Sequence, residues 1–229
     1  RAKKLIVLTK EFADFYQFMP KEQMVIIPNP IEGSSGFSWD IREKNNNKRV
    51  ISVGRLVASK RHDLLIRAFA QLAEKYPNWT LIILGEGEVR SVLQELINSL
   101  QLTDRIQLAG LIENPYDDLV ESHLFVLSSS YEGFPMALAE AMSVGLPVIT
   151  TDCSSGVREL LDEGRAGILV PVGQIEPLVR AMEAMFVDEK MRITYGQLAY
   201  QRIQLFHIDK ILWLWEKLLD EVINRKRVL

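Results

Sequence analysis

Cysteine is almost absent: one residue, Cys153, in a chain of 229. That excludes an internal disulfide and fits a reducing compartment. Beside a strand end the lone thiol reads as a small apolar filler, since no histidine can be placed next to it for nucleophilic use. Histidine is scarce too. His62, His123 and His207 are scattered without the spacing of a zinc site, and no Ser-His-Asp or Cys-His arrangement follows from their order. No apolar run approaches the length of a membrane span. No secretory leader is visible, although the chain opens on Arg1, not Met, which implies that its natural start is missing. Neither sign of charge is in excess: 27 Lys and Arg against 30 Asp and Glu leave a net charge of −3. Nothing there calls for nucleic acid. Internal repeats and low-complexity tracts are also missing.

What is present is ordinary in bulk and patterned in detail. The hydrophobic share is 48% and the charged share 25%, as in globular proteins. The length suits one large α/β domain with extra elements. Short apolar runs at 50–53, 80–84, 106–108, 124–127, 148–150 and 168–170 alternate with helical patterns such as 63–76 and 89–100. In the first of these, Leu65, Ile66, Phe69, Leu72 and Ala73 form the stripe a helix needs to cover a sheet. Alternation of this kind predicts a Rossmann-like parallel sheet with helices on both faces. Such sheets bind ligands at the carboxyl ends of their strands. The polar stretch 33–48 reads as a loop leading into the domain. At the ends, 5–8 and 25–27 read as short strands around an aromatic segment with Phe12, Phe15, Tyr16 and Phe18. The stretch 209–225 reads as a helix with an apolar face, closed by Arg225-Lys226-Arg227.

The most informative segment is 132–140, Glu-Gly-Phe-Pro-Met-Ala-Leu-Ala-Glu. Two carboxylates, Glu132 and Glu140, flank a Gly-x-Pro turn that opens a helix. Pro135 suits the first helical turn. The N–H groups of Met136, Ala137 and Leu138 would then face outward and favour an anion or hydroxyl oxygens. If the segment is largely helical, the two carboxylates stand ~12 Å apart at ~1.5 Å per residue. That suits a nucleotide-sugar, with one Glu at the transferred sugar and the other at the ribose. Arg55 and Lys60 follow another strand end, where a guanidinium and an ammonium can meet a diphosphate. Gly85-Glu86-Gly87 lacks the third glycine of a dinucleotide fingerprint, Arg90 standing there, and reads as a tight strand-to-helix turn. Cys153-Ser154-Ser155-Gly156 reads as a helix-capping turn.

These motifs, taken in order, resemble the retaining glycosyltransferases of family 4, which have the GT-B fold. Segment 132–140 is similar to the family's E-x7-E motif. Val53-Gly54-Arg55-Leu56 with Lys60 resembles its VGRL…K element, and Gly85-Glu86-Gly87 its GxG turn. The stretch from Gly145 to Asp152 resembles its GxPVI…D element, and Pro28-Asn29-Pro30 its interdomain Asn-Pro. One departure is Arg61, where the family often has glycine. The run from Glu132 to Leu161 looks most like bacterial transferases that build surface polysaccharides and oligosaccharides.

The resemblance implies one half of a GT-B enzyme. Residues 1–30 would be the end of the N-terminal acceptor domain and the linker, and 31–205 the nucleotide-sugar-binding domain. Residues 206–229 would form a helix crossing back to the other half, with a membrane surface as its alternative partner. Arg55, Lys60 and Glu132 would be catalytic. Gly54, Gly85, Ile112, Gly133, Phe134, Met136, Ala137, Leu138 and Glu140 would bind the donor, with the base near 110–112. The reaction implied moves a hexose from a nucleoside-diphosphate sugar, a UDP-sugar first, to a saccharide or lipid-linked acceptor with retention. No metal is required, and the Asp-x-Asp clamp of the other major glycosyltransferase fold is not in the sequence. The expected location is the cytoplasm or the inner face of the membrane. A non-catalytic sugar-nucleotide module is a second reading; an epimerase or phosphorylase of the same fold fits the residues less well.

Overall fold

The computed structural model describes residues 3–16, 18–32 and 43–224. Six strands form one parallel sheet: β3 (Lys48–Val53), β4 (Trp79–Leu84), β5 (Ile106–Gly110), β6 (Leu124–Leu127), β7 (Val148–Thr151) and β8 (Ile168–Val170). Their order is β5-β4-β3-β6-β7-β8. The chain steps outward from β3 to β5, then returns to pair β6 on the other side of β3. That reversal between β3 and β6 is the topological switch point of a doubly wound sheet.

Period-two alternation explains the two cores. Val50, Leu81, Ile83, Leu124 and Val126 face one way, under α2 (His62–Ala73), α3 (Arg90–Ser99) and α7 (Ile175–Val187). Ile51, Ile82, Leu84, Phe125 and Leu127 face the other. There they meet α4 (Tyr116–Glu121), α5 (Met136–Ser143), α6 (Ser155–Leu161) and α8 (Glu189–Ile203). Every residue of β6 and β7 is buried, which is why these strands read as unbroken apolar runs. The expected strands are all present, with boundaries shifted by a residue or two.

Lys48 corrects one reading. It opens β3 instead of closing a loop, and it is buried. Its ammonium reaches Glu43 at 2.9 Å, and Arg192 of α8 reaches the same carboxylate at 2.6 Å. Burial alone would raise the Glu43 pKa; the two cations hold it below its ordinary value. Residues 33–42 of that stretch, and the basic end at 225–227, lie outside the described residues.

A smaller unit stands beside the sheet. Strands β1 (Leu5–Val7) and β2 (Met24–Ile26) pair in parallel, joined through α1 (Lys10–Phe15). The last helix, α9 (Ile208–Asn224), lays Ile211, Leu214, Leu218 and Val222 on Ile6, Val25 and Ile27. An ion pair of 3.0 Å between Lys4 and Glu221 adds to that contact. Where the chain passes between the units, the Ile31 N–H donates to the Phe206 carbonyl and the Ile208 N–H to the Ile31 carbonyl.

Trp79 is the largest side chain in the first core, 1% exposed. It stacks on Phe186 with ring centres 3.9 Å apart and planes 7° from parallel. The Arg192 guanidinium lies 5.5 Å from its ring. Trp79→Ala is expected to cost about 3–5 kcal/mol. A urea midpoint lowered at unchanged slope confirms it; a loss under about 1 kcal/mol contradicts it.

Candidate functional site

Glycines let three loops close over the carboxyl ends of β3, β4 and β5. The Gly54 N–H donates to the Leu84 carbonyl at 2.9 Å, and the Gly85 N–H to the Gly110 carbonyl at 2.7 Å. A methyl group on Gly85 (φ +142°) would stand 2.0 Å from the Gly54 oxygen, and one on Gly87 would stand 2.3 Å from the Leu56 oxygen. Both glycines of the 85–87 turn are thus required by backbone packing. Beside them opens a mainly apolar cavity of about 390 Å³, lined by Gly54, Arg55, Gly85, Leu111, Ile112 and Pro115 among others. The 110–112 loop therefore does meet Gly54, Arg55 and Gly85. Arg55 is exposed and makes no ion pair among the described residues.

Lys60 ends a 3-10 turn, Ala58–Lys60, that leads into α2. Its stem crosses Gly54, 3.6 Å from where a methyl there would sit. Arg61 follows with φ 50° and ψ 40°, in the left-handed region. That conformation accounts for glycine at the matching position of the resembling family. Here a two-pronged ion pair from Arg61 to Asp63, at 3.0 and 3.1 Å, accompanies the strained backbone.

The β6 exit supplies the other wall. The Ser128 hydroxyl donates to the carbonyls of Lys60 and Arg61 at 3.0 and 2.9 Å. The Ser130 N–H donates to Ser59 at 2.7 Å. The Ser129 hydroxyl donates to Glu132 at 2.6 Å, and the Lys60 ammonium to the same oxygen at 2.5 Å. Glu132 is 9% exposed, so this charge-assisted pair sits at the floor of the site. Sequence reasoning gave the three serines no role. Three consecutive hydroxyls closing an all-apolar strand were the available signal.

Two details of the 132–140 segment need correcting. The helix begins only at Met136, so the ~12 Å helical separation does not apply. Pro135 is the residue before the helix, extended at ψ 102°, not its first turn. Met136, Ala137 and Leu138 are still the first three helical residues, so their N–H groups lack intrahelical acceptors. The Phe134 and Leu138 side chains are core, Phe134 against Phe206, so only their backbone can serve a ligand. Glu140 is half-buried without an ion pair among the described residues, and burial raises its pKa. Among the described residues no three His, Cys, Asp or Glu gather as a metal site, and no helix is long and apolar enough to cross a membrane.

Gly156 was read only as part of a capping turn. Ser154 does cap α6, accepting from the Val157 N–H at 3.3 Å. The glycine has a separate duty: a methyl there would stand 1.8 Å from the Gly133 oxygen. Gly133 itself faces open space, with nothing within 4 Å of an added methyl. Gly156→Ala is expected to displace the 132–135 turn and cost about 1–3 kcal/mol, whereas Gly133→Ala leaves stability nearly unchanged. Thermal melts of the two variants check the contrast, and equal losses contradict it.

His62, first in α2, is 2% exposed and lies against Gly54. Neither ring nitrogen makes a well-formed hydrogen bond, though the Gly54 and Arg55 carbonyls are close enough to favour the charged ring weakly. Burial dominates, with the Lys60 charge acting in the same sense, and lowers the pKa from 6.5 to about 4. Between those values the unfolded chain binds the extra proton, so stability rises with pH across that window. The full effect is about 3 kcal/mol at roughly 1.4 kcal/mol per pKa unit. Urea titrations from pH 4 to 7 are expected to show this slope in the parent and a reduced slope in His62→Gln. Equal slopes refute it.

A doubly wound parallel sheet with a glycine-lined cavity and paired charges at its switch point is a Rossmann-like architecture. The chain belongs to the glycosyl transferases group 1 family, whose model matches residues 37–202. It is 38% identical to an uncharacterized glycosyltransferase of Methanocaldococcus jannaschii over 202 residues, covering 76% of this chain and 50% of that one. It is 36% identical to the N-acetylgalactosamine-N,N'-diacetylbacillosaminyl-diphospho-undecaprenol 4-alpha-N-acetylgalactosaminyltransferase of Campylobacter jejuni, covering 72% of this chain and 44% of that one. Among solved structures, the pneumococcal O-GlcNAc transferase GtfA with UDP and GlcNAc superposes with a TM-score of 0.78 at 25% identity, over 96% of this chain and 45% of that one. A Rickettsia africae glycosyltransferase gives 0.84 at 16% identity over 97% of this chain and 64% of that one, a likeness of fold. The chain spans about half the length of the first two relatives.

Proposed function

We propose that this chain is the donor-binding half of a retaining glycosyltransferase of family 4, taking a hexose from a UDP-sugar to a saccharide or lipid-linked acceptor. The observation that carries the proposal is the Lys60–Glu132 pair of 2.5 Å across the switch point. It joins the loop that would hold phosphate to the loop that would hold sugar. The base enters the cavity at Ile112 and Gly85. Glu140 accepts from the ribose hydroxyls. The N–H groups of Gly133, Phe134, Met136, Ala137 and Leu138 receive sugar and phosphate oxygens. On arrival of the donor, the diphosphate draws Lys60 from Glu132, which then accepts from a sugar hydroxyl. Arg55 and Lys60 stabilise the charge that grows on the diphosphate as the glycosidic bond breaks. The acceptor hydroxyl attacks the anomeric carbon from the face the diphosphate leaves and passes its proton to the departing diphosphate, and no metal is needed because the two cations neutralise that leaving group.

The pneumococcal relative, solved with UDP and GlcNAc, supports a uridine nucleotide. The Campylobacter relative, by its name, works on a diphospho-undecaprenol acceptor and supports a lipid-linked one. Such an acceptor would put the enzyme at the inner membrane face, with the acceptor half in the remainder of a longer protein.

Calorimetry on the folded chain is expected to show binding of UDP in preference to GDP and ADP, without sugar transfer. Lys60→Ala weakens UDP binding about tenfold, the equivalent of about 1.4 kcal/mol. In the full-length protein Glu132→Ala lowers transfer by about 100-fold or more while leaving UDP affinity nearly intact. Failure of all three nucleotides, or an equal loss of UDP binding in Glu132→Ala, contradicts these roles.

A further inference from the structure

Buried polar side chains in folded proteins nearly always have hydrogen-bond partners, so an exception calls for a reason. Among the described residues three buried side-chain atoms have none: the Ser52 hydroxyl oxygen and both ring nitrogens of His62. All three flank the segment that presents Arg55 and Lys60. Ser52 stands near the end of β3, just before Gly54, and His62 opens α2, just after Lys60 and Arg61. Leaving such atoms unpaired costs stability, and an apolar side chain of the same shape would avoid that cost.

The position of the imidazole suggests what offsets it. The His62 Nε2 atom lies 3.9 Å from where a methyl group on Gly54 would sit, and the Lys60 Cδ and Cε atoms lie 3.6 Å from the same point. Ring and lysine stem therefore meet over one glycine. The Gly54 and Arg55 carbonyls approach the ring without closing a well-formed bond. On its other side the ring is fixed, because the Ser128 hydroxyl holds the Lys60 and Arg61 carbonyls at 3.0 and 2.9 Å. Burial lowers the His62 pKa to about 4, so at neutral pH the ring is uncharged and carries one N–H. The ring is 2% exposed and does not line the apolar cavity, so it acts through the backbone and not on the ligand. Hydrogen bonds that serve a reaction are often long in the free protein and tighten in the complex.

We propose that His62 is a positioning residue for the donor diphosphate: when the diphosphate draws in Arg55 and Lys60, a ring N–H closes onto a carbonyl of the Gly54–Arg55 turn and fixes the backbone from which Arg55 reaches. The assignment rests on the donor-site reading above. It explains why an imidazole stands where a plain apolar ring would pack at less cost.

Calorimetry with UDP and UMP on the parent, His62→Phe and His62→Gln, beside thermal melts of all three, tests it. Phenylalanine keeps a ring and removes both nitrogens; glutamine keeps an N–H donor. His62→Phe is expected to melt at or above the parent temperature and yet to bind UDP about three- to tenfold more weakly. UMP, with one phosphate, loses less, and His62→Gln recovers most of the UDP affinity. In nitrogen-15 histidine spectra of the parent, the His62 ring signals, identified by their absence from His62→Gln, are expected to shift when UDP saturates the chain. A His62→Phe variant that binds UDP as the parent does overturns the proposal. So does an equal loss for UMP and UDP, or the same loss in His62→Gln. Ring signals unmoved by bound UDP overturn it even if His62→Phe does not fold. A parent that binds no UDP refutes the donor-site reading and this proposal with it.

Discussion

A lysine ammonium and a glutamate carboxylate held 2.5 Å apart, on loops that leave β3 and β6, are what the rest of the site is built around. Two charges at ~4 Å attract by about 4 kcal/mol at the effective dielectric of a protein surface. Partial burial takes back much of that, so the pair adds little to folding. Its significance lies in position. β3 and β6 are neighbours only because the sheet reverses direction between them. The serines after β6 then tie the 59–61 backbone to the 128–130 backbone, so the two charges meet with little freedom. Gly156 allows the 132–135 turn to lie flat on α6. On the proposed reading, a diphosphate arriving beside Lys60 would compete with Glu132 for the ammonium and free its carboxylate.

Much of this was legible in the residues. Strand positions followed from apolar runs, because strands buried on both faces leave an unbroken signature. The α2 stripe gave its buried face directly: Leu65, Ile66, Phe69, Leu72 and Ala73 are all core. The placing of Arg55, Lys60 and Glu132 in the segments after β3 and β6, and of Glu140 in the helix that follows β6, also followed from the chain. Less legible were contacts between segments distant in sequence. Nothing local says that Lys60 pairs with Glu132, 72 residues on, or that Gly156 faces Gly133. Lys48 looked like loop because Arg192, which shares the Glu43 carboxylate with it, comes from a distant part of the chain. The helix starts one residue later than expected because Pro135 is still extended.

Both units line the cleft that contains Glu132. The six-stranded sheet offers, in order, an apolar cavity, two cations and a carboxylate. The small β1–β2 unit brings α1 and its aromatic rings to the far end of that series. Helix α9 fastens the small unit through one stripe, Ile211, Leu214, Leu218 and Val222. A second stripe beside it, with Leu212, Trp215, Leu219 and Ile223, stays exposed. The placement of α1 over Ser155 rests on that apolar stripe, the Lys4–Glu221 ion pair and the Thr9–Ser155 hydrogen bond.

A crystal structure of the chain with UDP-glucose bound tests the central claim most directly. The account predicts the Lys60 ammonium on a phosphate oxygen, the Glu132 carboxylate on a sugar hydroxyl, and the 2.5 Å pair broken. A bound nucleotide with that pair intact, or a nucleotide seated away from the β3–β6 junction, contradicts it.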